Sequence, residues 1–486
     1  MAPGITPNQG ASQSAVSVKD YKAMGDGVTD DTSAVTSAIT AAVASGSEVF
    51  FPPGTYMVGP GTLSYILPIR SGLRIRGAGI GKSVIKVKPN AGNYDVMFGP
   101  QYSVVSDVHF SDMTIDQNSG SNPIQSLADL SAHPRMIIAT GGGNNFTIND
   151  VEVRDINAFN TLYISTRTTS ITNCRFTGIG GGSVYHDYSA LYLTASAIVT
   201  GNLFQSSGLN AAGAVTAIET HSGDQTISGN TIDGMLVGMN VSGIGRTESN
   251  NILVSDNTIA HAYYGIQIWS RKYGSHQSGY GISGLTIGNN IIRITQNEWN
   301  TNAIDGKPVL GNPSGIFVDP NANLPIKAMT ISNNSVEYDL ENNPSAPIIS
   351  AGFGIGYWDA TGGNSAEEVK ITNNTIINAP GPGVRISVAG SNVEISSNKI
   401  INPGSTLNPR LPNSYRAGIV ITSPPVGVRL LNNSITDNLQ TTRMKYGIYV
   451  LAPKAAQPEL TANTVSASGV DTSAFARPIS VTTTPK

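Results

Sequence analysis

The sequence predicts an all-β fold, a right-handed parallel β-helix with an N-terminal capping helix and an internal asparagine ladder. Three observations predict it. From about residue 140 one hexapeptide keeps returning: apolar, Ser/Thr, any residue, Asn, any residue, apolar. The copies are VTGNLF (Asn202), ISGNTI (Asn230), VSDNTI (Asn257), IGNNII (Asn290), ISNNSV (Asn334), ITNNTI (Asn374), ISSNKI (Asn398), LLNNSI (Asn433) and LTANTV (Asn463). Their spacing runs from 24 to 44 residues, the signature of a solenoid with variable insertions. Second, each unit carries another strand that opens on a small residue, as in ALYLT, AIETH, GMNVS, GIQIW, GIFVD, GIGYW, GVRIS, GIVIT and GIYVL. Third, an amphipathic helix precedes the first strands and can close the open apolar end of the stack.

Each element has a physical reason. Apolar residues alternate with period two, and Pro, Gly and Asn turns interrupt about every six residues, so the units contain strands. Crossovers between parallel strands are right-handed almost without exception. An inward Asn at a turn can bond the unpaired main-chain groups there and the Asn of the next coil. ITNCRF places the single Cys174 in the same slot, where it reads as a small buried hydrophobe. In TSAVTSAITAAVASG, Val35, Ala38, Ile39, Ala42 and Val43 make one helical face. Asp31 or Thr32 is the expected cap and Gly46 the stop. EVFFPPGTYMV then reads as a strand broken at Pro53-Gly54. Residues 1–15 read as a flexible N-terminal segment and 16–60 as the cap. Residues 61–470 read as the β-helix with groove-forming insertions, and 471–486 as a C-terminal tail.

The bulk composition excludes several functions. Net charge is −3 and 13% of residues are charged, which argues against a nucleic-acid partner. No apolar run reaches a membrane span and no signal peptide opens the chain, so no membrane partner is expected. Two motifs are decoys. The acids of MGDGVTDD lack the spacing of a calcium loop. RGAGIGKS has Arg76 where a phosphate loop needs glycine, and lies between two short strands. No metal and no cofactor is expected.

The string VSVKDYKAMGDGVTDDTSAV, followed by FPPGTY, resembles the N-terminal motif of the pectate-lyase-like β-helix superfamily. Its lead-in, VSVKD plus an aromatic, is most similar to bacteriophage tailspike and capsular polysaccharide depolymerase proteins. Lys22 stands where that family usually has Gly, so a different turn is expected there. The resemblance implies a polysaccharide substrate, a homotrimer, and a place outside the cell or on a virion tail. Only about fifteen residues precede Val16, which implies an excised or naturally short depolymerase body.

Chemistry is expected on the outward face of the second strand. Even offsets there give one column: Tyr163, Tyr192, Glu219, Asn240, Gln267, Phe317, Gly356, Arg385, Val420, Tyr449. Two residues on runs another: Ser165, Thr194, His221, Ser242, Trp269, Asp319, Trp358, Ser387, Thr422, Leu451. Indoles beside carboxylates and amides suit a sugar, whose ring faces stack and whose hydroxyls pair. Tyr192, His221, Asn240, Gln267, Trp269, Trp358 and Arg385 are the expected substrate-binding residues. Insertions at 270–285 and 294–314, with Arg271, Lys272, His276 and Trp299, could wall the groove. Glycosidic hydrolysis needs two carboxylates, and Glu219, Asp319 and Asp359 are the expected catalytic set. Asp319 and Asp359 come from successive coils, whereas Glu219 needs a closer partner such as Asp187 or Asp224. Any of the three can be the acid. Two readings compete with a glycoside hydrolase: β-elimination from a uronate, with Tyr192 and His221 as base candidates, and a glycan-binding spike without turnover.

Overall fold

The computed structural model describes residues 15–181, 183, 187–208, 211, 214–242, 249–270, 281–295, 312–320, 324, 326–339, 352–358, 365–405, 412, 415–422, 426–439, 443–451 and 458–467. Asp359, the wall residues Arg271, Lys272, His276 and Trp299, and both terminal segments (save Ala15) lie outside these residues.

Three parallel strands per coil, not the minimum of two, build a right-handed β-helix. One wall is a 13-stranded parallel sheet running from Tyr65–Pro68 to Tyr446–Leu451. The other two walls are counted together as 28 strands, because the long strands Val108–Asp116 and Asn144–Arg154 belong to both. Inside, Ile218, Met239, Ile266, Ile316, Ile355, Val384, Ile419 and Ile448 pair coil on coil and all are buried. Each such side chain contributes about 1.5–3 kcal/mol by leaving water.

The small residue that opens each second-sheet strand lies where two walls converge. A Cβ on Gly265 would come 2.5 Å from Ile292 Cγ2 and 2.4 Å from the Gly315 carbonyl oxygen. Branched side chains fill that corner from the neighbouring wall, so only hydrogen fits.

The ladder forms as expected. Asn202, Asn230, Asn257, Asn290, Asn334, Asn374, Asn398 and Asn433 each donate from Nδ2 to Oδ1 of the next Asn at 2.9–3.0 Å. Each Oδ1 after the first also accepts a main-chain N–H, as Asn290 Oδ1 does from Asn257 at 3.0 Å. Cys174 caps the column: its N–H donates to Asn202 Oδ1 at 2.8 Å.

Helix α1 (Thr32–Ser45) buries Val35, Ala38, Ile39 and Ala42 and ends at Gly46 with φ 64°. Its start differs from expectation. Asp31 makes no cap bond; its carboxylate accepts the N–H groups of Met24 and Gly25 at 2.6 and 2.9 Å. Asp30 accepts from the Thr32 N–H instead, at 3.0 Å. Asp31 is buried beneath the loop, where two amides hold it more strongly than a helix end would. Lys22 also departs from expectation. It adopts the left-handed conformation, φ 72°, that glycine would favour, so the turn keeps its shape despite the side chain.

Candidate active site

The 13-stranded sheet carries the site. Backbone register aligns Tyr163, Tyr192, Glu219, Asn240, Gln267, Phe317, Gly356, Arg385, Val420 and Tyr449 strand by strand. In the parallel column Ser242 faces Trp269, Trp269 faces Asp319, and Trp358 faces Ser387. The side chains at these positions alternate with buried Ile and Val, so both columns lie on the outer side of one wall.

The chemistry concentrates at the N-terminal end of this face. Tyr163 and Tyr192 stack at 4.9 Å with a 12° interplanar angle. Tyr102 caps Tyr163 edge-on at 5.2 Å, and His221 lies 4.6 Å beyond Tyr192. Met136, Val96 and Ala139 form a small apolar patch beneath Tyr163. Above these rings opens a cleft of about 410 Å³, and both Glu219 and Asp187 line it. The carboxylate of Glu219 is held from three sides. Ser189 donates to Oε2 at 2.5 Å, Asn240 Nδ2 donates to Oε1 at 3.3 Å, and His221 Nε2 lies 3.1 Å from Oε1. The imidazole contact is close but poorly aligned for a directed bond, and both ring nitrogens are buried without a hydrogen-bond acceptor or donor. The Glu219 side chain keeps 14% exposure and His221 only 7%. Asp187 stands exposed at the rim. Among the described residues no Lys or Arg lines this cleft.

The sequence-predicted residues divide into two groups. Tyr192, Glu219, His221 and Asn240 come together around the cleft. Trp269, Asp319 and Trp358 form a second cluster, half-buried, further along the same face. Glu219 and Asp319 are three strands apart, about 14 Å, too far to act on one bond. Gln267 and Arg385 keep their register but are 5% and 6% exposed; the rings of Trp358 and Tyr415 close over Arg385. Asp224 is no partner for Glu219: its Oδ1 accepts from Asn251 Nδ2 at 3.0 Å, in the turn that opens another wall. Asp187 is the acid that shares the cleft.

Several lining residues escaped sequence reasoning: Tyr102, Phe159, Asn160, Met136, and Leu130 on the short helix α2 (Leu127–Ala132). Most lie in coils that precede the Asn repeat. Asn160 Oδ1 accepts the Ser189 N–H at 2.8 Å and so fixes the strand beside Glu219.

These features define a class: a right-handed parallel β-helix with an aromatic-floored, two-carboxylate cleft on one sheet. A family model described as rhamnogalacturonase A/epimerase, pectate lyase-like, matches residues 15–291, and one for the right-handed β-helix region matches residues 216–465. The chain belongs to this pectate lyase-like family of right-handed β-helices.

Two curated relatives are similar over part of their length. Mannuronan C5-epimerase AlgE1 of Azotobacter vinelandii is 34% identical over 147 residues, 29% of this chain and 10% of that protein. The pre-neck appendage protein of Bacillus phage B103 is 25% identical over 429 residues, 81% of this chain and 47% of that protein. The chain thus spans about half or less of these relatives. Among solved structures, the N-terminal fragment of bacteriophage Phi29 gene product 12 superposes with TM-score 0.64 at 16% identity, covering 93% of this chain and 70% of that one. A tailspike protein mutant of E. coli bacteriophage HK620 gives 0.60 at 14% identity, covering 94% and 78%. At such identities the likeness is one of fold.

Proposed function

We propose that the protein is a polysaccharide depolymerase, a glycoside hydrolase that cleaves a bacterial surface glycan in the Glu219–Asp187 cleft. One observation carries the reading: two carboxylates share a sugar-sized cleft floored by stacked tyrosines. Hydrolysis needs one carboxyl group to protonate the leaving oxygen and a second to act as base or nucleophile. Glu219 is the oriented member, since Ser189 and Asn240 each donate to one of its oxygens. Asp187, exposed at the rim of the same cleft, is the second carboxylate, on the side from which water enters. The faces of Tyr163 and Tyr192 are taken by each other, by Tyr102 and by His221, so the stack lines the cleft with ring edges, and desolvation there strengthens each polar contact. Asp319 and Asp359 are the expected acids of the Trp269–Trp358 cluster, where the same chain would be gripped further along.

The phage relatives and the tailspike-like fold support an extracellular or virion-tail protein, working as a homotrimer. Light scattering measures the oligomer directly.

A second reading has a specific observation behind it. Tyr192, His221 and Glu219 are in mutual contact, and the AlgE1-like segment belongs to proteins named as mannuronan epimerases. A base and a tyrosine side by side suit proton abstraction from a uronate. The absence of a Lys or Arg in the described cleft lining weakens it, because the uronate carboxylate needs a neutralising partner there. The test is a panel of bacterial capsule, O-antigen and exopolysaccharides incubated with wild type, Glu219→Gln and Asp187→Asn. The hydrolase reading expects new reducing ends from wild type and at least a hundredfold slower release by either variant. Unsaturated product from wild type sinks hydrolysis in favour of elimination. Glycan affinity without turnover leaves a binding spike.

A further inference from the structure

The outward column carries a second unusual residue, five strands beyond Glu219. Arg385 is 6% exposed, yet no Asp or Glu pairs with it among the described residues. The contrast with Arg135 is direct: that guanidinium, equally buried, meets Asp129 at 3.2 Å and the Asn122 carbonyl at 3.0 Å. Arg385 is instead held between two rings, its Cζ 4.5 Å from the Trp358 centroid and 4.9 Å from that of Tyr415. The Nε of each arginine is buried without an acceptor, so what sets Arg385 apart is the lack of an acidic partner among the described residues. Burial pulls its pKa below the usual arginine range, with the Tyr415 hydroxyl opposing.

Ring faces stabilise a guanidinium through its flat sides and leave its edge to hydrogen-bond partners; here the Tyr415 hydroxyl takes part of that edge and Nε is left without an acceptor. The edge presents N–H groups in a planar fork that matches two oxygens of one anion. A cation buried without a counter-ion, with an orphaned donor, is costly unless a ligand completes it. We propose that Arg385, Trp358 and Tyr415 form a subsite for an anionic sugar, one bearing a carboxylate or a sulfate. The subsite lies about 24 Å from Glu219 along the sheet at one strand spacing per coil, with register fixed through Asn240, Gln267, Phe317 and Gly356. An extended chain of several sugars spans that length. The inference rests on reading this face as a glycan groove, and it makes the substrate an acidic polysaccharide.

The chain has three tryptophans, so Trp269→Phe with Trp299→Phe leaves Trp358 as the sole indole reporter beside Arg385. Fluorescence is titrated with a galacturonate trisaccharide, its carboxyl-reduced counterpart, and a 6-sulfated form of that neutral sugar. The expected result is a saturable change with the uronate or the sulfated sugar and at least tenfold weaker binding of the neutral one. Which anion responds distinguishes carboxylate from sulfate. Arg385→Gln, with unchanged circular dichroism, should erase the preference for charge. Equal response to the neutral sugar, no saturable response to either anion, or a preference that survives Arg385→Gln overturns the proposal. Glu219→Gln should leave this titration unchanged, so loss of the cleavage reading and loss of the subsite are separable.

Discussion

Replacing Asn290 with alanine tests whether the ladder stabilises the fold, and its cost can be worked out bond by bond. Asn290 Nδ2 donates to the Val254 carbonyl at 3.0 Å and to Asn334 Oδ1 at 2.9 Å. Its Oδ1 accepts from Asn257 N–H at 3.0 Å and Asn257 Nδ2 at 2.9 Å. Alanine removes all four. Asn334 Oδ1 keeps the Asn290 N–H, and Asn257 Nδ2 keeps the Ile227 carbonyl. The buried Asn257 N–H loses its side-chain acceptor and the Val254 carbonyl loses a donor. Each orphaned buried group costs about 1–3 kcal/mol, so the expected loss is about 2–6 kcal/mol. Asn463, the last rung, is half-buried, and water can replace its partners, so Asn463→Ala should cost about 1 kcal/mol or less. Urea unfolding followed by far-ultraviolet circular dichroism measures both. Equal losses at the two positions, or a loss under about 1 kcal/mol at Asn290, would refute the claim that the buried ladder rather than local turn geometry carries the energy.

Four further outcomes are expected. Cys174 is buried and its thiol pKa is pushed up to about 12, chiefly by burial; Ellman's reagent should therefore label it only after unfolding. Asn240→Ala removes a donor to Glu219 and should slow cleavage about tenfold while leaving the unfolding midpoint nearly unchanged. Lys22→Gly relieves a left-handed residue and should stabilise the cap by about 1 kcal/mol, read as a higher urea midpoint. His109, whose pKa is lowered first by burial and then by Arg74, with Asp107 opposing, favours the neutral ring in the fold. Its contribution is full above the unfolded value of about 6.5 and is lost as pH falls through and below it. The wild-type midpoint should therefore drop more between pH 7.5 and 5 than that of His109→Gln.

The fold was legible because two periods reinforce one another. The Asn hexapeptide fixes each coil's register, and strict alternation then dictates which side of every second strand faces outward. That is why Glu219, Asn240 and Gln267 fall in one row in both readings. Outward does not mean solvated, however. Trp358 and Tyr415 close over Arg385, and no pattern within a single strand announces that. The N-terminal half of the cleft was illegible for a different reason. Tyr102 and Leu130 lie before the repeat begins, on an irregular strand and a six-residue helix, where no period relates them to Glu219. Asp187 could be named only as a neighbour in sequence, and the cleft had to bring it beside Glu219. Asp31 shows the limit of local rules: a cap-type residue at a helix start bonded the preceding loop because burial made those two amides the more demanding partners.

The central claim is that water cleaves a glycosidic bond between Glu219 and Asp187. Digestion of a responsive polysaccharide in ¹⁸O-labelled water, followed by mass spectrometry of the fragments, tests it most directly. One heavy oxygen on each newly formed reducing end is the expected result. Fragments that carry no label and instead end in an unsaturated sugar would contradict it.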